Sequence, residues 1–156
     1  MNTRRAVLTQ SAQLAAMLAT LGLLPGVALA QAAAGYNSAA FDAKTLAEVM
    51  KALGAGAPAE SKDVTITGPD IAENGAVVPV GAATTLPGVK RLLLLVEKNP
   101  TMLSAMFEVS DAVDANVSTR VKMGQTSNVF AVAMMGDGKV LYAAKEVKVT
   151  LGGCGG

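Results

Sequence analysis

The apolar positions of this chain change their spacing near residue 58. Before it, in "FDAKTLAEVMKALGAGAP", Leu46, Val49, Met50 and Leu53 recur at the spacing that lines one face of a helix. Asp42 can serve as the N-cap, and Gly54 or Gly56 with Pro58 stops the turn, which predicts one amphipathic helix over roughly 43–53. After Pro58 the period becomes that of a strand. "DVTITG" puts Val64 and Ile66 on one face and Thr65 and Thr67 on the other. "GAVVPVGAATT" is a second strand, whose Pro79 suggests an edge or a bulge. "VKRLLLLVEKNP" is apolar without a break from Leu92 to Val96, as in a strand covered on both faces, and Asn99-Pro100 turns it. "AMFEVS" follows, and then "ANVSTRVKM", which alternates Val117, Thr119 and Val121 with Ser118, Arg120 and Lys122. "SNVFAVAMMGDGKVLYAAKEVKVTL" reads as a hairpin turning at Asp137-Gly138. Short strands and tight turns, with helix only at the start, predict a mostly β fold built as a sandwich.

Composition narrows the chemistry. With no Trp, two Tyr and three Phe among 156 residues, the core must be built from Val, Leu, Ala and Met. The pairs Met134-Met135 and Met102/Met106 raise thioether copper binding as a reading, and core packing is the stronger one. No histidine is present, which excludes His-ligated metals, Ser-His or Cys-His pairs and the usual general base near neutral pH. No catalytic residue or metal site is therefore expected.

The first thirty residues read as an export signal rather than as fold. Arg4-Arg5 precede the mildly apolar run "LAAMLATLGLLPGVALA", which closes on Ala28-Leu29-Ala30, a twin-arginine n-region with an A-x-A cleavage site. Gln13, Thr20, Gly22 and Pro25 interrupt the run, so a membrane anchor fits it less well. Cleavage after Ala30, export to the periplasm and no membrane association of the mature chain are expected. Of the 13 Lys and Arg, Arg4 and Arg5 leave with the signal, so the net charge against 12 Asp and Glu falls to about −1. No basic surface for nucleic acid is expected. The chain divides into a signal (1–30), a flexible leader "QAAAGYNSAA" (31–40), a single β-sandwich domain with the N-terminal helix (41–151) and a tail (152–156).

That tail, "GGCGG", carries the only cysteine, Cys154, between Gly152-Gly153 and Gly155-Gly156. Glycines make the segment thin and conformationally free. The last strand, "EVKVTL", ends one residue before it, so the tail is a short arm spanning at most roughly 17 Å, with its thiol about 10 Å out. A nucleophilic catalyst needs a rigid seat beside an activating base. An unassisted thiol of pKa about 8.5 is mostly protonated near neutral pH. Cys154 is thus a poor catalyst and a good handle. Cysteine third from the end does not fit the prenylation signal, which needs it fourth.

The terminal "GGCGG", the preceding "AAKEVKVTL", "IAENGAVVPV" (71–80), "EKNP" (97–100), "VSTRVKM" (117–123) and the twin-arginine signal together resemble the SoxY family, sulfur-substrate carriers of the periplasmic Sox thiosulfate-oxidising system. The resemblance implies an immunoglobulin-like antiparallel β-sandwich with one N-terminal helix and a swinging C-terminal arm. It implies that Cys154 holds thiosulfate-derived sulfur covalently, as a cysteine S-thiosulfonate, while Gly152, Gly153, Gly155 and Gly156 give the arm its freedom. The implied partners are a SoxZ-like immunoglobulin-like subunit in a heterodimer, a c-type cytochrome that conjugates thiosulfate, a metal-dependent hydrolase that releases sulfate and, where present, a molybdenum–haem sulfane dehydrogenase. The carrier itself would hold no cofactor and would be no enzyme.

Two other readings stay open. Ubiquitin-like sulfur carriers also end in Gly-Gly and load sulfur as a C-terminal thiocarboxylate, but they work in the cytoplasm and place their helix between strands. A β-sandwich interaction module with an unused tail is the second. The apolar run "RLLLLVE" can either bury one sheet against another chain or fill the protein's own core.

Overall fold

The structure is a computed structural model and describes residues 37–150. The chain forms α1 (Ser38–Asp42), α2 (Leu46–Ala52), β1 (Pro58–Glu60), β2 (Val64–Thr67), β3 (Ile71–Ala72), β4 (Val78–Thr84), β5 (Val89–Val96), β6 (Leu103–Glu108), β7 (Asn116–Val121), β8 (Ser127–Met135) and β9 (Val140–Val149). The strands make two sheets. The larger has the order β1-β9-β8-β5-β6, with β3 also paired to β9, and the smaller has the order β2-β4-β7. This is an immunoglobulin-like β-sandwich.

The expected helix is α2, and a second short helix, α1, precedes it. Asp42, expected to cap it, is instead the last residue of α1, and Thr45 caps α2. The Thr45 hydroxyl accepts from Glu48 N at 3.2 Å while the Glu48 carboxylate accepts from Thr45 N at 3.2 Å. This reciprocal box satisfies donors that helix geometry leaves unpaired. The leader expected over 31–40 is also shorter where it can be seen. Asn37 Oδ1 accepts from Ala40 N at 3.2 Å, its Nδ2 donates to Ala52 O at 2.6 Å, and Ala40 is fully buried. A residue packed in the core fixes its neighbours, so Asn37 to Ala40 belong to the folded domain. Residues 1–36, with the expected signal and cleavage site, lie outside the described residues.

Strand β5 is the centre of the packing. Leu92 to Val96 are 0% exposed, as the uninterrupted run predicted. Side chains alternate along a strand, so Leu92, Leu94 and Val96 face the smaller sheet, among Val78, Val80, Ala82, Val121 and Val129. Leu93 and Leu95 face the other way and pack with Val49, Met50, Met102, Leu103 and Val132 beneath the helices. The apolar run fills the protein's own two cores. The methionines do the same: Met134 packs on the helix side and Met135 between the sheets, and Met50, Met102 and Met123 are buried. Adjacent on one strand, Met134 and Met135 point to opposite faces and cannot share a ligand.

Two details refine the expected sheet. Strand β4 is central rather than an edge, yet β2 ends at Thr67 opposite Gly81, so Pro79 pairs only with Arg120 of β7. The missing N–H of proline falls where the strand has one neighbour. Pairing is antiparallel except at the outer edge of β9, where β1 and β3 run parallel to it at its two ends. Between them Lys145 reaches across the gap, donating to Gly68 O at 2.6 Å and pairing with Asp70 at 2.9 Å. The hairpin joining β8 and β9 turns at Asp137-Gly138, with Gly138 at φ 88, a conformation that favours glycine.

Because both faces of β5 are covered, Leu93→Ala and Leu94→Ala should each lower unfolding free energy by about 2–5 kcal/mol. Chemical denaturation of the two variants checks this. Loss from only one of them would mean that the other face is wet.

Candidate functional site

Cys154 and the glycines around it, Gly152, Gly153, Gly155 and Gly156, lie outside the described residues. What the structure defines is the root from which the segment leaves. Strand β8 ends its pairing with β9 at Ser127 opposite Val147. Beyond that point β9 is held by other means. Lys148 N donates to Asp70 O at 2.9 Å and Thr150 N to Ala72 O at 3.1 Å, the parallel ladder with β3. On the opposite edge Val149 N donates to the Thr126 hydroxyl at 3.0 Å, so a side chain extends the ladder after β8 has stopped. Successive N–H groups of a strand point to opposite edges, and each of these three finds a partner there.

The segment carrying β3 is clamped as tightly. A Cβ placed on Gly75 would stand 2.3 Å from Met123 O and 2.8 Å from a Val149 methyl, so only glycine lets this loop lie against the end of β9. Met123 N donates to Gly75 O at 2.7 Å. Asn74 closes the turn, its Oδ1 accepting from Ala76 N at 2.9 Å. The neighbouring loop joins through Asn99, whose Nδ2 donates to Lys122 O at 2.7 Å. Buried Ser127 accepts from Lys98 N at 3.0 Å and donates to Asn128 O at 3.0 Å. The stretches 71–80, 97–100 and 117–123, remote in sequence, are thus bonded to one another around the end of β9.

Electrostatics at the root are those of an exposed surface. The hydrogen bond and charge of Lys145, with Lys148 beyond, hold the Asp70 carboxyl below its ordinary value of 3.8. Among the described residues no cluster of three or more His, Cys, Asp or Glu could hold a metal ion, and no helix is long and apolar enough to cross a membrane. A cleft of about 1030 Å³, lined in part by Thr84, Leu86, Val89, Val113 and Asn116, sits at the other pole, where β9 begins. The ten residues of β9 separate it from the root by roughly 30 Å. That exceeds the reach of the residues beyond Thr150, so the cleft cannot serve Cys154.

Sequence reasoning did not find the anchors Asp70, Ala72, Thr126 and Lys145. Gly75 within "ENGAV" carried a turn signal, while a Thr bonding 23 residues away carries none.

The last strand of the sandwich is thus fastened at its very end, at Thr150. The chain belongs to the SoxY family: the family profile described as "Sulfur oxidation protein SoxY" matches residues 49–154, ending on Cys154. Among solved structures, the sulfur carrier protein SoxY from Chlorobium limicola f thiosulfatophilum is 37% identical over 66% of this chain and 93% of its own, with a TM-score of 0.60. The superoxide reductase (neelaredoxin) from Ignicoccus hospitalis, 15% identical over 56% of this chain and 80% of its own with a TM-score of 0.50, shares the fold alone. No curated protein matches.

Gly75→Ala should destabilise the domain by about 1–3 kcal/mol, since neither Met123 O nor β9 can yield far; denaturation midpoints check it. Asp70→Asn should show an acid-dependent effect. The folded carboxyl titrates below its unfolded value, so its contribution is present above 3.8 and is lost as pH falls through the lower folded value. The gap in thermal midpoint between Asp70→Asn and the parent should therefore close on acidification below 3.8, and a gap that does not change with pH would contradict this.

Proposed function

We propose that this protein is a sulfur carrier of sulfur oxidation that holds thiosulfate-derived intermediates covalently on Cys154 and presents them to successive enzymes. The observation that carries the reading is the family match, which runs to Cys154 itself. It is supported by similarity to a chain described as a sulfur carrier protein. The fixed root at Thr150, followed by a glycine-flanked thiol, suits delivery: the body holds still while the thiol explores a small volume.

The chemistry balances without a catalytic group in this chain. The Cys154 thiol gives up its proton, and its sulfur bonds to the outer sulfur of thiosulfate. Two electrons leave to a c-type cytochrome, giving Cys–S–S–SO₃⁻. Water then attacks the sulfonate sulfur in a metal-dependent hydrolase. The S–SO₃ bond breaks, sulfate and protons leave, and a persulfide stays on Cys154. A sulfane dehydrogenase, where present, would take six electrons from that remaining sulfur and add the oxygens of three waters, giving Cys–S–SO₃⁻, whose hydrolysis releases a second sulfate and restores the thiol. This chain supplies attachment and reach, and its partners supply catalysis. A SoxZ-like subunit forms the heterodimer, and the pair works in the periplasm after twin-arginine export and cleavage after Ala30. The glycines at 152, 153, 155 and 156 let the thiol enter narrow clefts.

Protein purified without reductant from cells grown on thiosulfate should carry adducts on Cys154 that a thiol reductant removes, seen by intact mass. Cys154→Ser should carry none and should abolish thiosulfate-dependent turnover while keeping partner-subunit binding. A clean free thiol in the parent, or turnover that survives in Cys154→Ser, overturns the reading. Sulfur replacing oxygen at Gly156 would instead favour a thiocarboxylate carrier.

A further inference from the structure

The backbone N–H groups of residues 148–150 go to acceptors of two kinds. Lys148 N donates to Asp70 O and Thr150 N to Ala72 O, both of them backbone carbonyls on the β3 side. Val149 N points to the other edge and donates at 3.0 Å to a side chain, the hydroxyl of Thr126, in a part-buried bond. On that edge the β8 backbone has already ended. Its pairing stops at Ser127 opposite Val147, and the residues before it, 124–126, bend. Val149 also packs its side chain at the margin of the inter-sheet core. Yet the hydroxyl of Thr126 alone continues the β8-side ladder past Val147. The opposite edge rests on β3, a strand of two residues, which is too short to hold a strand end by itself. Any sequence supplies backbone carbonyls; a hydroxyl at position 126 is a choice of residue.

We propose that Thr126 sets the length of the arm: its hydroxyl keeps β9 closed as far as Thr150, so that Cys154 swings from Thr150 and not from Val147. The proposal rests on the carrier reading above. Thr126 touches neither the thiol nor a substrate; it is a positioning residue that acts through Val149 N. The difference in length is large. Counted from Thr150 the thiol is four residues out, at most roughly 14 Å, and counted from Val147 it is seven, at most roughly 24 Å. A tether that only just spans its target gives the highest local concentration there, and added length dilutes it. Strand ends open locally, and the loss of one net hydrogen bond raises the population of the opened end about five-fold. One side chain thus decides how often the arm gains three extra residues.

The test uses the mature chain in its heterodimer, loaded with thiosulfate-derived sulfur, and the sulfate-releasing hydrolase of the same organism. Deleting Gly152 and Gly153 removes roughly 7 Å of reach, so the short-armed chain presents Cys154 at its former distance only by opening the end of β9. The deletion should lower kcat about ten-fold. Adding Thr126→Val to the deletion should raise kcat again about five-fold with KM unchanged, the factor by which opening grows. Adding Thr126→Ser, which keeps the hydroxyl, should leave kcat at the level of the deletion. A substitution that merely loosened the fold would lower turnover further. In the full-length arm, amide exchange at Val149 and Thr150 should quicken about five-fold in Thr126→Val and match the parent in Thr126→Ser. A deletion without effect, no gain from Thr126→Val, an equal gain from Thr126→Ser, or unchanged exchange overturns the proposal. Should Thr126→Val fail to fold, Thr126→Ala is held to the same criteria. A parent that carries no sulfur on Cys154 overturns the carrier reading and this proposal together, whereas a loaded parent with no gain in the short-armed Thr126→Val chain overturns the role of Thr126 alone.

Discussion

A strand with no wet face governs this molecule. Leu92 to Val96 of β5 supply both cores, alternate residues going to the smaller sheet and to the helices. Such a strand stabilises two interfaces at once, but it carries little register information. Where one face is polar, a slip of one residue is prevented by the cost of burying polar side chains. Here a slip would exchange one leucine set for another. Register must come from the ends, and the structure supplies it there. Arg91 donates to Glu108 at 2.7 Å across β5 and β6, and irregularities in pairing fall between Val89 and Arg91 and between Leu94 and Leu95. These mismatches fit only one alignment.

Much of this was legible in the chain itself. The alternation of residues 64–67 and 116–121, the apolar run of β5 and the Asp137-Gly138 turn carry their structure in periodicity and turn chemistry. Thr45 and Glu48 held the helix start in plain view as a capping box, and Asp42 was the more conspicuous but wrong choice. The short β1 and β3 were not legible, since strands of three and two residues have no period to read, and their parallel pairing with β9 depends on the path of the whole chain. The site divides along the same line. Cys154 stands out because its chemistry lies in its residue type and its glycine neighbours. Its anchorage does not, because Thr126, Lys145 and Asp70 act through bonds to distant backbone and side chains that no local pattern announces.

The result is a separation of labour within one domain. No described core residue takes part in the proposed chemistry. On the proposed reading, one unchanged body is what successive enzymes would recognise while the cargo changes.

The fastening of β9 also has a mechanical meaning. Its bonds to β8 run from Met134 opposite Val140 to Ser127 opposite Val147, and β1 and β3 hold its other edge. Ladder bonds between antiparallel strands lie across the strand direction. Tension on the chain beyond Thr150, directed along the strand, loads these bonds together in shear instead of peeling them one by one. The described chain is thus held firmly up to its last residue, Thr150.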